Sequence, residues 1–122
     1  MTRILVIDDE ISIVEMLSAF LAQEGLQVVT ACNGQEGLER LANARPAVVV
    51  SDVMMPVLDG WGLCRRMQAD PRYRSIPLVL MSAVRTAPDL AGCRYAALLR
   101  KPFKLDEMLQ TITRLLKPNV SS

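Results

Sequence analysis

The chain predicts a doubly wound α/β domain: a five-stranded parallel sheet with helices on both faces. Two observations carry this. Short apolar runs rich in β-branched residues alternate five times with longer stretches, most of which show apolar residues at helical spacing, and strict βα alternation packs as a parallel sheet with right-handed crossovers. Four of the five runs also end on a chemically useful polar residue, namely Asp8-Asp9, Asp52, Ser82 and Lys101. Ligands in open α/β sheets bind at the carboxyl ends of the strands, so this placement is what a site-bearing sheet requires. At 122 residues and 51% hydrophobic content the chain is one domain, large enough to bury roughly two thirds of its unfolded surface.

Arg3 to Ile7 reads as the first strand, and Ile13, Met16, Leu17, Phe20 and Leu21 mark a first helix that Gly25 stops. Leu26 to Ala31 is the second strand. Asn33-Gly34 then caps a short helix carrying Leu38 and Leu41 and ending before Pro46. The third strand is the unbroken run Val48-Val49-Val50, of the kind buried on both faces of a parallel sheet, and it stops at Ser51-Asp52. Pro56 forbids its continuation, and Asp59-Gly60 caps a helix reaching about Ala69, with Trp61, Leu63, Cys64 and Met67 on its apolar face. Pro77 opens the fourth strand, Leu78 to Met81, which terminates at Ser82-Ala83. From Val84 to Tyr95 the pattern is poor, because Pro88 and Gly92 confine any fourth helix to about two turns. Ala96 to Arg100 is the fifth strand, and Leu105, Met108, Leu109, Ile112, Leu115 and Leu116 form a strong amphipathic stripe for the last helix.

Strand-end chemistry also orders the sheet. Strand two ends on nothing reactive and belongs at an edge, so the order 2-1-3-4-5, the flavodoxin-like arrangement, follows. That order puts the switch-point crevice between strands one and three, where Asp8, Asp9 and Asp52 meet.

Composition narrows the partners. Residues 1–60 hold three arginines against nine acids, a net charge of −6, so the rest of the chain carries +7 to reach the overall +1. The acidic half suits a cation site, and the basic half could meet an acidic protein partner. Scattered basic residues with few aromatics argue against direct nucleic-acid binding. No apolar run approaches the ~20 residues of a membrane span, and Met1-Thr2-Arg3 leads straight into a strand, so a cytoplasmic location is expected. Cys32, Cys64 and Cys93 are odd in number, lack metal spacing and have no histidine to join them. They read as small buried hydrophobes.

Taken singly, Asp52 could be a turn former, Ser82 a turn residue and Lys101 an ordinary ion-pairing lysine. Together they say more. Three clustered carboxylates repel one another unless a cation or a raised pKa relieves them, and a set of oxygens favours a hard ion such as Mg²⁺. A metal, a lysine and a hydroxyl around one carboxylate make a site for phosphoryl transfer with Asp52 as nucleophile.

On these residues the chain resembles the receiver domains of two-component response regulators over essentially its whole length. The matching motifs are Asp8-Asp9 after strand one, Asp52 followed by Met55-Pro56 and Asp59-Gly60, Ser82-Ala83 after strand four, and Lys101-Pro102-Phe103 after strand five. The resemblance implies that Asp52 accepts a phosphoryl group from a phosphohistidine on a histidine kinase or phosphotransfer protein. It implies a Mg²⁺ ion held by Asp9, Asp52 and the Met54 main-chain carbonyl, with Asp8 acting through water. It also implies that Ser82, Ala83 and Lys101 hold the phosphoryl oxygens and that the Lys101-Pro102 peptide is cis. Such a domain is a phosphoacceptor switch rather than an enzyme, read by a downstream protein or an attached output domain.

Three departures from the family pattern carry expectations. Met54 and Val84 occupy the positions that flank the path of attacking water, and two apolar groups there should lengthen the life of an acyl phosphate. Leu98 stands where the family usually has the Tyr or Phe that swings inward, which weakens that coupling or passes it to another residue; Tyr95 is a candidate, although its offset favours plain packing. Ser82 to Lys101 spans 19 positions, short of the usual spacing, with the deficit falling on the fourth helix. A haloacid-dehalogenase-type phosphohydrolase would place an acid/base carboxylate where Met54 stands. A receiver-like interaction module without phosphorylation is the other reading, and the intact acid cluster, Ser82 and Lys101 argue against it. The domain is expected to occupy residues 1–118, with 119–122 a tail or the start of a linker, and the chain is either free-standing or a piece of a longer one.

Overall fold

The computed structural model describes residues 2–83 and 93–116. Its elements run β1 (Arg3–Ile7), α1 (Ile11–Gln23), β2 (Gln27–Ala31), α2 (Gly34–Ala44), β3 (Val48–Asp52), α3 (Gly60–Ala69), β4 (Leu78–Ser82), β5 (Ala97–Arg100) and α4 (Leu105–Leu116). All strand pairs are parallel, in the order β2-β1-β3-β4-β5. This is the order inferred from strand-end chemistry, with β2 at an edge. The expected short fourth helix and its residue Val84 fall within 84–92, outside the described residues, as does the domain boundary at 118.

Burial explains why the central strands are apolar throughout. Ile4 to Ile7, Val48 to Ser51 and Val79 to Met81 are fully buried, because helices cover both faces of the sheet. Alternate residues serve two separate layers. Leu5, Ile7, Val49 and Leu80 meet Leu41, Leu63 and Met67 on the α2–α3 face, whereas Ile4, Val6, Val50 and Met81 meet Leu17, Leu21, Met108 and Ile112 on the α1–α4 face. Each strand is therefore locked in register from both sides, since a one-residue slip would exchange the two layers.

Two helices start as their sequences require. The Asn33 side chain accepts from the Glu36 amide at 2.8 Å, and the Asp59 side chain accepts from the Gly62 amide at 2.8 Å. Close approach fixes the identity of residue 60. A Cβ there would lie 2.6 Å from the Asp52 carbonyl oxygen and 2.8 Å from the Val53 Cα, so α3 can begin against the back of the Asp52 strand end only as glycine.

The cysteines correct the reading from sequence. Cys64 and Cys93 form a disulfide with Cα atoms 5.3 Å apart, and Cys32 is exposed rather than buried. The pairing joins α3 to the approach to β5, a tertiary contact that residue spacing does not encode.

Candidate functional site

Asp8 follows β1 directly and Asp52 is the last residue of β3, so both carboxylates emerge at the same sheet edge. Ile7 lies beside Ser51 in the ladder, and Asp52 lies beside Met81, one residue before Ser82. The strand end is firmly tied. The Val53 amide donates to the Met81 carbonyl at 2.9 Å, the Gly60 amide to the Val53 carbonyl at 2.8 Å, and the buried Ser51 hydroxyl to the Asp52 carbonyl at 2.9 Å. Asp52 is thereby carried on rigid backbone, which is what a reacting group needs.

Asp8, Asp9 and Asp52 each offer an oxygen within 4.8 Å of the others. Asp8 and Asp52 are buried and Asp9 is exposed, so the cluster has a dry floor and one solvent-facing wall. Lys101 reaches in from the end of β5: its Nζ lies 3.2 Å from Asp8 Oδ2, 3.2 Å from Asp52 Oδ1 and 3.8 Å from Glu10 Oε1. Both Asp8 oxygens are engaged, because the Glu10 amide donates to Oδ1 at 3.0 Å. Ser82 is buried beside them, and its carbonyl accepts from the Lys101 amide at 2.8 Å. Ala83 is exposed at the rim, and the Lys101-Pro102 peptide is cis.

The electrostatics follow from burial and proximity. Burial pushes the Asp52 carboxyl above its ordinary value and the Asp8 charge pushes it further, with Lys101 opposing. Burial likewise raises Asp8, against the Glu10 amide and Lys101. Burial alone would lower the Lys101 ammonium, but the Asp52 and Asp8 charges outweigh it and hold the group above its usual value. One ammonium thus serves two desolvated carboxylates that still carry an excess negative charge. Oxygen donors at this spacing fit a small hard cation, and a cation beside Lys101 and Ser82 would make the mouth receptive to an anionic group.

Sequence reasoning brought Asp8, Asp9, Asp52, Ser82 and Lys101 to one place, and the structure assembles all five. It missed Glu10 as a third partner of Lys101; the Asp-Asp-Glu run was the available signal. Leu98 and Tyr95 pack on the α2–α3 side, where the Tyr95 and Trp61 rings lie 6.1 Å apart between centroids. This agrees with a packing role for Tyr95. The loop after Asp52 held another surprise, for Val57 adopts φ +72 while 80% exposed. A β-branched residue is strained there, so Val57→Gly should stabilise the fold by about 1 kcal/mol, read as a higher denaturant midpoint at constant slope. A drop in that midpoint would contradict the strain.

Comparison with known proteins agrees with this geometry. The model of the response regulator receiver domain matches residues 4–113. A probable transcriptional regulator ycf27 of Cyanophora paradoxa is 38% identical over 118 residues, covering 94% of this chain and 48% of that protein. Among solved structures, the signal receiver domain of a histidine kinase from Syntrophus aciditrophicus superposes with a TM-score of 0.90 at 30% identity, covering 100% of this chain and 95% of that one. The Vibrio cholerae chemotaxis protein CheY4 gives 0.86 at 32% identity, covering 95% and 99%. The chain spans about half the length of the curated relatives it matches. With the acid cluster at the strand ends, the lysine across from it and a family match over nearly the whole chain, the protein belongs to the response regulator receiver domains, the phosphoacceptor switches of two-component signalling.

Proposed function

We propose that Asp52 is the phosphoacceptor and that a phosphohistidine on a histidine kinase or phosphotransfer protein is the donor. The observation that carries this is the pair of 3.2 Å contacts from Lys101 to Asp52 and Asp8, which put a fixed cation against a desolvated carboxylate at the switch-point crevice. In the transfer, an Asp52 carboxylate oxygen bonds to phosphorus as the phosphorus–nitrogen bond breaks, and the imidazole departs. Lys101 then moves from carboxylate toward phosphoryl oxygen, Ser82 and the Ala83 main chain hold the remaining oxygens, and Asp52 remains fixed by its strand. Asp9, Asp52 and the Met54 carbonyl would hold Mg²⁺, with Asp8 acting through water because both its oxygens are already engaged. When bound, the ion would neutralise charge on the transferred group.

A protein donor fits the surroundings. Ile11, Met54 and Val57 are 71%, 63% and 80% exposed, and they flank the carboxylates from the start of α1 and the loop after β3. Beside them, Ile13, Met16, Ala83, Lys101, Pro102 and Phe103 line a groove of about 480 Å³. Apolar groups around a charged centre suit a macromolecular partner better than a small phosphate ester. The chain therefore serves as a switch rather than a turnover enzyme, acting in the cytoplasm without contacting membrane or nucleic acid through this domain. No helix among the described residues is long and apolar enough to cross a membrane. The relatives named as transcriptional regulators are about twice as long, so we place the receiver at 1–118, residues 119–122 as a tail or linker, and the readout in an output domain or a partner protein. Leu98 is the position at which that readout departs from an aromatic switch, while Pro102, after its cis peptide, keeps the family pattern.

The test is incubation with acetyl phosphate and Mg²⁺ followed by intact-mass measurement. One adduct of about 80 Da, one phosphoryl group, is expected with Mg²⁺ and none with chelator; labelling indifferent to chelator would overturn the assignment. The adduct should also persist. The exposed Met54 side chain offers no hydrogen bond to orient an attacking water, so Met54→Asn with Val84→Glu should shorten its lifetime by roughly tenfold, the scale of a single positioned polar group. Equal rates of phosphate release would contradict this.

A further inference from the structure

The Cys64–Cys93 pair has no part in the site just described, yet it joins two elements that position it. Cys64 lies in α3 and Cys93 just before β5. Both are buried in the layer that holds Leu63, Met67 and Tyr73, with the tilted Trp61–Tyr95 ring pair packed against that layer. The two are 29 residues apart, and the ring they close contains β4, Ser82 and residues 83–92. The disulfide ties the approach to β5, the strand that leads to Lys101, to α3, the helix that starts against the Asp52 strand end. Cys32, the third thiol, is exposed and donates to a Glu36 carboxylate oxygen at 3.0 Å. That contact pushes the thiol up from its ordinary value and makes it a poor competitor for exchange.

We propose that Cys64 and Cys93 are a reversible redox pair, whose oxidation clamps the approach to β5 onto α3 and whose reduction unties them, so that the switch answers to oxidant as well as to phosphorylation. Reducing intracellular compartments keep most thiols apart, which makes a closely placed pair a responsive element rather than a permanent staple. With a peroxide as oxidant, one sulfur attacks a peroxide oxygen as the O–O bond breaks, giving a sulfenic acid and one water. The second sulfur then displaces the hydroxyl as a second water, so two thiols lose two electrons and two protons and one S–S bond forms. A dithiol reductant reverses this by exchange. Burial slows both directions, making the pair a record of sustained oxidation rather than of a brief pulse.

The clamp rests on the phosphoacceptor reading and the bond does not, so the two are measured separately. Full chain treated with hydrogen peroxide or with dithiothreitol is denatured, labelled with maleimide and weighed. One label at Cys32 is expected after peroxide and three after reduction, with a proteolytic peptide joining Cys64 to Cys93; three labels in both, or a bridge through Cys32, overturns the pair. The oxidised form should also melt about 10 °C higher, as a closed loop of this length implies. Amide shifts induced by beryllofluoride with Mg²⁺ are then compared in the two forms. Smaller shifts over residues 93–101 in the oxidised form, with Cys93→Ala behaving as reduced in either medium, support the clamp. Equal shifts in both forms overturn it. No shift in either form overturns the phosphoacceptor reading and the clamp with it, while the labelling result still decides the pair.

Discussion

Asp52→Asn should take up no phosphoryl group and yet be more stable than the wild type in metal-free buffer. The first half follows from chemistry: an amide oxygen is a poor nucleophile, and Asp8, which is also buried and 3.2 Å from Lys101, has its other oxygen held by the Glu10 amide. Intact mass after acetyl phosphate and Mg²⁺ should show the adduct of about 80 Da on wild type alone. An equal adduct on the variant would move the acceptor elsewhere. The second half follows from electrostatics. Asp52 is raised first by burial and then by the Asp8 charge, so its ionised form opposes folding when no metal is present. A neutral amide removes that opposition and leaves Lys101 to Asp8. The melting temperature without metal should rise by roughly 3 °C. Added Mg²⁺ should stabilise wild type, by about 1.4 kcal/mol at ten times its dissociation constant, and the variant much less. A variant that gains as much from Mg²⁺ as wild type would show that Asp52 is not among the ligands.

How much of this was legible in the chain depended on the range of the interaction. Val48-Val49-Val50 announced a strand buried on both faces, because a three-residue β-branched run has few other ways to hide its surface. The carboxylates, Ser82 and Lys101 were legible because parallel strands deliver their ends to one edge whatever the details of packing. Asn33 and Asp59 were legible as caps, since each accepts from an amide three residues along its own chain. α1 was found from its apolar spacing instead, for Glu10 makes no side-chain cap, and Asp8 accepts the Glu10 amide from the preceding loop. What escaped was long-range or conformational. The odd cysteine count pointed away from a disulfide, and only the packing of α3 against the approach to β5 brings Cys64 to Cys93. The left-handed backbone of Val57 has no marker in its identity, as glycine or asparagine would be the ordinary occupant.

Lys101→Met should have opposite effects on stability and on metal affinity, and that opposition distinguishes a site lysine from a structural one. In the wild type one ammonium sits 3.2 Å from both Asp8 Oδ2 and Asp52 Oδ1, with its side chain 16% exposed. Removing it leaves two buried carboxylates without a counter-charge. Breaking a fully buried pair costs 3–5 kcal/mol, and the partial exposure of this one reduces the expected loss to about 2 kcal/mol in metal-free buffer at neutral pH. The loss should depend on pH with a defined sign. Without Lys101 both carboxyls stay above the ordinary value of 3.8, so the folded variant binds protons that the unfolded chain releases. Its stability is therefore greatest near that value and falls as pH rises through the folded-state values. Metal affinity should move the other way. The ammonium occupies oxygens that a cation would use, and a methionine of similar length does not, so Mg²⁺ should bind severalfold tighter and restore more stability to the variant than it gives the wild type. Phosphorylation should not be rescued by that tighter binding, since no ammonium remains to follow the phosphoryl oxygens. Thermal unfolding across a Mg²⁺ titration at two pH values, with intact mass after acetyl phosphate, reads all three effects. Weaker Mg²⁺ binding in the variant would mean that Lys101 organises the carboxylates rather than competing for them.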